Sequence, residues 1–271
     1  MDARKIMFFD IDGTLIPEEP GAGVPESTLR ALRLARENGH LLYINTGRPA
    51  VNVGEDVRSL GFDGYVFGCG THIECGGREI YYKTAERSLC LDTVRLLREC
   101  DAVPMFERRD GVFFDFEMRS LPMIDSIRAG FAAEGKNVDR SADDEDFSFD
   151  KFIIIYDRRS DIARLRPEIE RDFCWIHRGE GFAEIVPKEC SKATGIERVL
   201  RFHGLDRQSA CAVGDSLNDL PMFSAVGTSI AMGNGERLIP YADYVTDDIM
   251  KDGIFNAMRH FGFFGTEDVL C

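Results

Sequence analysis

The residues of this chain with the clearest chemical potential are Asp10 and Asp12, which follow the apolar run Ile6-Met7-Phe8-Phe9 and precede Gly13. A short apolar run closed by a Gly turn predicts a buried strand. Side chains alternate along a strand, so Asp10 and Asp12 would share one face and Ile11 the other. The carboxyl edge of an open α/β sheet is where ligands bind. Two like charges held close there would repel each other, and a metal ion would relieve them. The competing reading is an acid at a strand end followed by an ordinary Asp-Gly turn.

Other polar groups follow other predicted strands. Thr46 and Gly47 follow the apolar residues 41–44, and Asp215, Asn218 and Asp219 follow Ala210-Cys211-Ala212-Val213. Parallel strands bring all three ends to one edge. Asp10, Asp12, Asp215 and Asp219 would then crowd four carboxylates together, an arrangement that calls for cations. Oxygen-only ligands favour Mg²⁺, which takes one or two carboxylates together with water and substrate phosphate. Lys192, at the start of a predicted helix, could supply a fixed positive charge. Thr46 with the amides of Gly47 and Ile11 could cradle phosphate oxygens. Taken singly, Thr46 reads as a helix cap and Lys192 as a solvated helix residue, and Arg48 could be the partner of a surface acid. Taken together, the groups suit phosphoryl transfer, where catalysis is mostly positioning and charge neutralisation.

These groups need a scaffold that sets three strand ends side by side. The first 70 residues read as β-α-β-α-β. Leu29, Leu32, Leu34 and Ala35 recur at helical spacing before a stop at Asn38-Gly39, and a second helix is predicted over residues 51–60 with Gly61 closing it. Such alternation predicts a doubly wound, Rossmann-like parallel sheet with helical crossovers. Residues 73–82 read as a hairpin around Gly76-Gly77. Gly68-x-Gly70 begins a dinucleotide fingerprint, but Ile73 stands where its third Gly belongs, so no dinucleotide site is expected.

Residues 83–187 read as a separate α+β unit, with helices over 89–100, 122–134 and 159–173 and strands over 103–107, 111–116, 151–156, 174–177 and 182–186. The acidic run 141–146 has no calcium-loop spacing and reads as a solvated loop. The first pattern then returns, with a helix over 191–203 capped by Ser191, a strand over 210–213 and shorter elements to residue 261. The expected division is therefore a discontinuous core, 1–82 and 188–271, with an insert of 83–187.

Composition bounds the function further. The 271 residues carry 47 acidic against 33 basic side chains, a net charge of -14. That argues against nucleic acid and anionic membrane surfaces as partners, since both select basic patches. No apolar run reaches transmembrane length, and Met1-Asp2-Ala3-Arg4-Lys5 does not read as a signal peptide, so a cytoplasmic location is expected. The eight cysteines form no Cys-x-x-Cys pair and read as reduced thiols, mostly small buried residues. The five histidines form no motif and read as structural or surface groups. Nothing in the pattern requires more than a monomer or homodimer.

The motifs Phe9-Asp10-Ile11-Asp12-Gly13-Thr14-Leu15, Asn45-Thr46-Gly47-Arg48-Pro49, Lys192 and Gly214-Asp215-Ser216-Leu217-Asn218-Asp219 resemble, in order and spacing, those of the haloacid dehalogenase superfamily of phosphohydrolases. The insert resembles the C2-type cap of its Cof-like subfamily. The resemblance implies a phosphatase in which Asp10 is the nucleophile that forms an aspartyl phosphate. It makes Asp12 the general acid for the leaving oxygen and then the base for water. It implies Mg²⁺ held by Asp10, by the backbone carbonyl of Asp12 and by Asp215, with Asp219 acting through water or by orienting Lys192. Thr46, Gly47 and Lys192 would bind the transferring phosphoryl group, with Asn218 nearby.

The implied substrate is a small phosphorylated metabolite such as a sugar phosphate, with Arg108, Arg109, Arg119, His177 and Arg178 as cationic candidates for reading it. Two alternatives are a sugar phosphomutase of the same fold and a metabolite-binding regulator without turnover. Two departures from the subfamily pattern stand out, Cys69-Gly70-Thr71 where Asn-Gly-Ala is usual and Ala193 where Gly is frequent.

Overall fold

The structure, a computed structural model, describes residues 4–19 and 21–265. Pro20 and Cys271 lie outside the described residues, as do the first three residues of the N-terminal stretch. Two compact units result, one of residues 1–47, 53–81 and 191–271 and one of residues 48–52 and 82–190.

The chain opens with β1 (Ile6–Phe9), α1 (Glu26–Glu37), β2 (Leu41–Asn45), α2 (Glu55–Arg58), β3 (Gly64–Phe67), β4 (His72–Cys75) and β5 (Arg78–Tyr82). The segment that follows holds α3 (Arg87–Glu99), β6 (Val103–Arg108), β7 (Gly111–Phe114), α4 (Pro122–Ala133), β8 (Lys151–Ile155), α5 (Ile162–Ile169), β9 (Phe173–Gly179) and β10 (Phe182–Pro187). The first unit then resumes with α6 (Lys192–His203), β11 (Ala210–Gly214), α7 (Leu220–Ala225), β12 (Thr228–Ala231), β13 (Tyr244–Val245) and α8 (Gly253–His260).

In the first unit the strands form one sheet in the order β13-β12-β11-β1-β2-β3-β4-β5. Pairing is parallel from β13 through β3 and turns antiparallel at β4. This is the α/β, parallel-sheet core that the β-α-β alternation predicts. β1 is central and wholly buried, which explains why Ile6-Met7-Phe8-Phe9 is apolar on both faces. Its register pairs Phe9 with Ile44 on β2 and with Val213 on β11, so Asp10, Thr46 and Asp215 all follow strand ends at the same edge. One face packs Ile6, Phe8, Leu41 and Tyr43 against Ile196, Val199 and Leu200 of α6.

Two helices are shorter than their periodicity predicts. Residues 51–60 divide into a 3-10 turn (Ala50–Asn52) and the single turn of α2, because Gly54 between them is extended (φ -72, ψ 171). The helix expected over 159–173 is confined to α5, which begins where the Asp161 side chain accepts the Arg164 N–H and ends before β9. Gly130 does not interrupt α4, which runs to Ala133.

The second unit is built on an antiparallel sheet in the order β7-β6-β8-β10-β9. α3 and α5 cover one face over a cluster of Phe106, Phe113, Phe147, Phe149, Phe152 and Phe173. Leu121 and Ile124 pack on the other face against Met105, Ile153 and Ile155. Lys151 is buried on β8 between Glu107 and Glu184, and Arg178 pairs with Glu184. The acidic run is not simply solvated: Asp143 pairs with Arg98, and Asp146 with Arg108 and Arg140. None of the described cysteines is in a disulfide, and among them only Cys174 is exposed. No helix among the described residues is long and apolar enough to cross a membrane.

Candidate active site

The site starts from the geometry at the end of β1. Asp10 continues the sheet by donating its N–H to the Val213 carbonyl at 3.2 Å, after which the chain closes a tight loop. Leu15 and Ile16 donate to the Ile11 carbonyl at 2.8 and 2.9 Å. Gly13 has φ +77, and a Cβ there would lie 2.4 Å from Asp215 Oδ2, so only Gly fits. Thr14, fully buried, donates its hydroxyl to Asp215 Oδ1 at 2.8 Å. Asn234 donates its amide to the Gly13 carbonyl at 2.8 Å.

Lys192 enters from α6. Ser191 caps that helix, accepting the Thr194 N–H while the Thr194 hydroxyl accepts the Ser191 N–H, a complete capping box. The Lys192 ammonium, 1% exposed, donates to Asp10 Oδ1 at 2.7 Å and to Asp219 Oδ1 at 2.6 Å. The other oxygen of Asp219 accepts the N–H groups of Asp215 and Ser216, each at 3.1 Å. Asp219 is thus engaged on both oxygens, and Asn45 donates its amide to the Lys192 carbonyl at 2.9 Å.

Asp10, Asp215 and Asp219 each present a carboxylate oxygen within 4.8 Å of the others. Asp12 does not join them: its side chain is exposed on the turn. The expected crowd of four carboxylates is therefore three, because the chain leaves strand geometry at Ile11 and the alternation that would align Asp12 with Asp10 ends there. Thr46 is buried at the end of β2, its N–H bonded to the Val66 carbonyl at 2.9 Å. Gly47 is half-buried. Asn218 lies in a 3-10 turn with its amide oxygen against the Ser216 hydroxyl.

Electrostatics set the character of the cluster. Burial, reinforced by Asp219, raises the Asp10 carboxyl from 3.8 to about 7 even though Lys192 opposes the shift. Burial and then Asp219 likewise raise Asp215 to about 7. For Lys192, burial would lower the ammonium, but Asp10 and Asp219 outweigh it and hold the group above its ordinary range. With all three carboxylates ionised against one ammonium, the formal charge is −2 in a mostly buried space. A hard divalent cation with oxygen ligands matches both the sign and the donor set.

The cations of the second unit are largely engaged. Arg108 pairs with Asp110 and Asp146, Arg119 with Asp101 and Asp157, and Arg178 with Glu184. Arg109 lies over the Tyr82 ring at 4.0 Å, and exposed His177 bonds locally to Phe182. Of the two departures from the subfamily pattern, Ala193 follows Lys192 in α6, while Cys69 adopts φ 55 in a buried turn after β3 and donates its N–H to the Thr46 carbonyl at 3.0 Å.

Thr14, Asn45 and Asn234 had no assigned part in the sequence reading. Thr14 and Asn45 lie inside its motifs, one residue from Gly13 and Thr46, but nothing in their spacing shows what each holds. Asn234 lies 221 residues from the carbonyl it binds, beyond the reach of any local pattern.

A central parallel sheet with an acidic, lysine-bridged carboxyl edge defines a phosphoryl-handling α/β enzyme. The family model described as haloacid dehalogenase-like hydrolase matches residues 7–258, and the chain belongs to that family and is a phosphatase of it. The chain is 26% identical over 258 residues to 5-amino-6-(5-phospho-D-ribitylamino)uracil phosphatase YcsE of Bacillus subtilis, spanning 94% of this chain and 95% of that protein. It is 27% identical over 235 residues to an HMP-PP phosphatase of Yersinia pseudotuberculosis, with 85% and 84% covered. Among solved structures, the subclass IIB sugar phosphatase BT4131 superposes with a TM-score of 0.80 at 27% identity, over 96% of this chain and all of that one (100%).

Proposed function

We propose that this phosphatase hydrolyses a small phosphorylated metabolite, of the sugar-phosphate class, through an aspartyl phosphate on Asp10. The observation that carries the reading is the buried Asp10 carboxylate held by Lys192 beside Asp215, at a net formal charge that calls for a divalent cation. The residues fit Mg²⁺, with Asp10, the backbone carbonyl of Asp12 and Asp215 as its holders. When bound, the ion supplies charge neutralisation for the phosphoryl oxygens.

The chain's own residues do the rest. A carboxylate oxygen of Asp10 attacks phosphorus, and the bond from phosphorus to the leaving oxygen breaks. Asp12 gives that oxygen its proton, then removes one from the water that attacks the aspartyl phosphate, and inorganic phosphate leaves. The exposed position of Asp12, outside the buried cluster, supports this separation of roles. Lys192 neutralises phosphoryl charge and keeps Asp10 oriented; Thr46 and Gly47 contact the phosphoryl oxygens, with Asn218 nearby. Asp219 acts by fixing Lys192. The second unit, as cap, selects the substrate, and the enzyme acts in the cytoplasm as a monomer or homodimer.

The substrate class rests on the relatives, whose names specify small phosphorylated compounds. The test is phosphate release across sugar phosphates, pyridoxal phosphate, flavin mononucleotide and nucleotides, with and without Mg²⁺. The expected result is Mg²⁺-dependent turnover of sugar phosphates that Asp10→Asn abolishes. Full activity in Asp10→Asn would remove Asp10 as nucleophile.

A further inference from the structure

Lys192 must hold its ammonium between two carboxylates, yet its four-carbon stem is flexible. Its place therefore depends on where the main chain of α6 begins. The capping box satisfies the first N–H groups of that helix but does not tie it to the sheet. Close packing seats it: a Cβ on Gly195 would lie 2.3 Å from Val66 Cγ1, and one on Gly70 would lie 2.5 Å from the Ser191 carbonyl. Packing alone leaves a helix able to slide or rotate by fractions of an ångström. A hydrogen bond between the Tyr43 hydroxyl and His203 Nε2, at 2.6 Å, ties the far end of the helix to β2; at its start the directional tie is Asn45, whose amide crosses 147 residues of sequence to the Lys192 carbonyl.

We propose that Asn45 is a positioning residue for Lys192: its amide, at the end of β2, fixes the start of α6 and thereby the ammonium shared by Asp10 and Asp219. Two observations carry this beyond the bond itself. Asn45 is fully buried, and its Oδ1 has no hydrogen-bond partner among the described residues. A buried, half-satisfied amide is a poor stabiliser, and an apolar side chain of similar shape would suit the core better. The group is explained by what its donor holds. Asn45 also immediately precedes Thr46 and Gly47, so the segment that ties down Lys192 carries the other two proposed phosphate ligands.

The role rests on the proposed phosphatase chemistry, and the test separates the two. Asn45→Asp keeps the side-chain volume and Asn45→Leu the branching at Cγ, and each removes the amide donor. With Mg²⁺ saturating, kcat is expected to fall at least about tenfold, and the inhibition constant for orthovanadate to rise by a similar factor. KM should move less than about threefold and the melting temperature should hold, since misplacement of about 1 Å can cost a hundredfold in rate. A merely structural role would lower melting temperature without this split. Values of kcat and vanadate inhibition within about twofold of wild type in a folded variant would overturn the proposal. So would failure of both variants to fold, which would make Asn45 a folding residue. If the wild type and Lys192→Ala release phosphate equally, the proposed role of Lys192 in the chemistry fails instead. Asn45 is then judged by the crystal structure of Asn45→Leu, where an unchanged bridge from Lys192 to Asp10 and Asp219 overturns the proposal.

Discussion

The ammonium of Lys192 lies 2.7 Å from an oxygen of Asp10, although 182 residues separate the two in sequence. Both side chains are buried, so each removes a charge that the other could not tolerate alone. The same ammonium reaches Asp219, and the three groups form one electrostatic unit.

Removing the cation therefore exposes an imbalance. Lys192→Ala leaves Asp10 and Asp219 buried without their counter-charge. Breaking a buried pair from one side costs about 3–5 kcal/mol. Urea unfolding in Mg²⁺-free buffer should show a loss of that order, alongside loss of phosphate release. A change in unfolding free energy below about 1 kcal/mol would place the pair among weak surface bridges.

The acidic cluster predicts a metal response that does not depend on turnover. Mg²⁺ should raise the melting temperature of the wild type in proportion to the logarithm of its concentration once above the dissociation constant. Asp215→Asn should abolish that rise. Chelation should remove activity and Mg²⁺ should restore it. An Asp215→Asn protein with undiminished Mg²⁺ stabilisation would place the ion elsewhere.

Gly13 gives a steric test of the same place. A methyl there would meet Asp215 Oδ2 at 2.4 Å in a backbone conformation of φ +77 that L-residues rarely adopt. Gly13→Ala should destabilise the fold by about 1–2 kcal/mol and raise the Mg²⁺ concentration needed for half-maximal activity. Wild-type metal dependence in this variant would show that Asp215 has room to move.

The second unit offers a pH test. Asp150 accepts the Tyr82 hydroxyl at 2.8 Å and the Arg109 N–H at 2.7 Å. Burial raises its carboxyl from 3.8 to about 6 against those two bonds. A carboxyl raised on folding holds its proton more tightly in the native state. Its contribution is therefore complete below pH 3.8 and is lost as pH rises through about 6. Asp150→Asn should flatten the fall in unfolding free energy between about pH 4 and about pH 6.5. An unchanged slope would assign that fall to other groups.

How much could be read in advance depended on how far each feature reached along the chain. The central strand was legible because β1 is apolar on both faces, and Ser191 was legible because a helix cap is a local signal. The α/β class followed from alternation alone. The helix over 51–60 was misjudged because Gly54 breaks it in a way that periodicity does not register. Asp12 was first grouped with the buried acids because strand alternation was extended past the residue where the strand ends. The acidic run 141–146 reads as solvated in sequence because its partners Arg98 and Arg108 arrive from α3 and β6, and adjacency alone does not pair Arg140 with Asp146. Asn45 and Asn234 act over such long separations that no local pattern marks them.

The sheet order also sets a timetable for synthesis. β1 pairs with β2 on one side but with β11 on the other, and Asp10 meets Lys192, so one side of the central strand stays open until more than 200 residues have been made. The intervening segment carries its own phenylalanine cluster and antiparallel sheet, which lets it condense while β1 still lacks β11. Folding of the nascent chain is thus expected to begin in its middle. A pause or a slow-folding substitution in β8 would then lengthen the time for which the apolar strand β1 has one open edge, making aggregation during synthesis, rather than lost catalysis, the first symptom of damage in that segment.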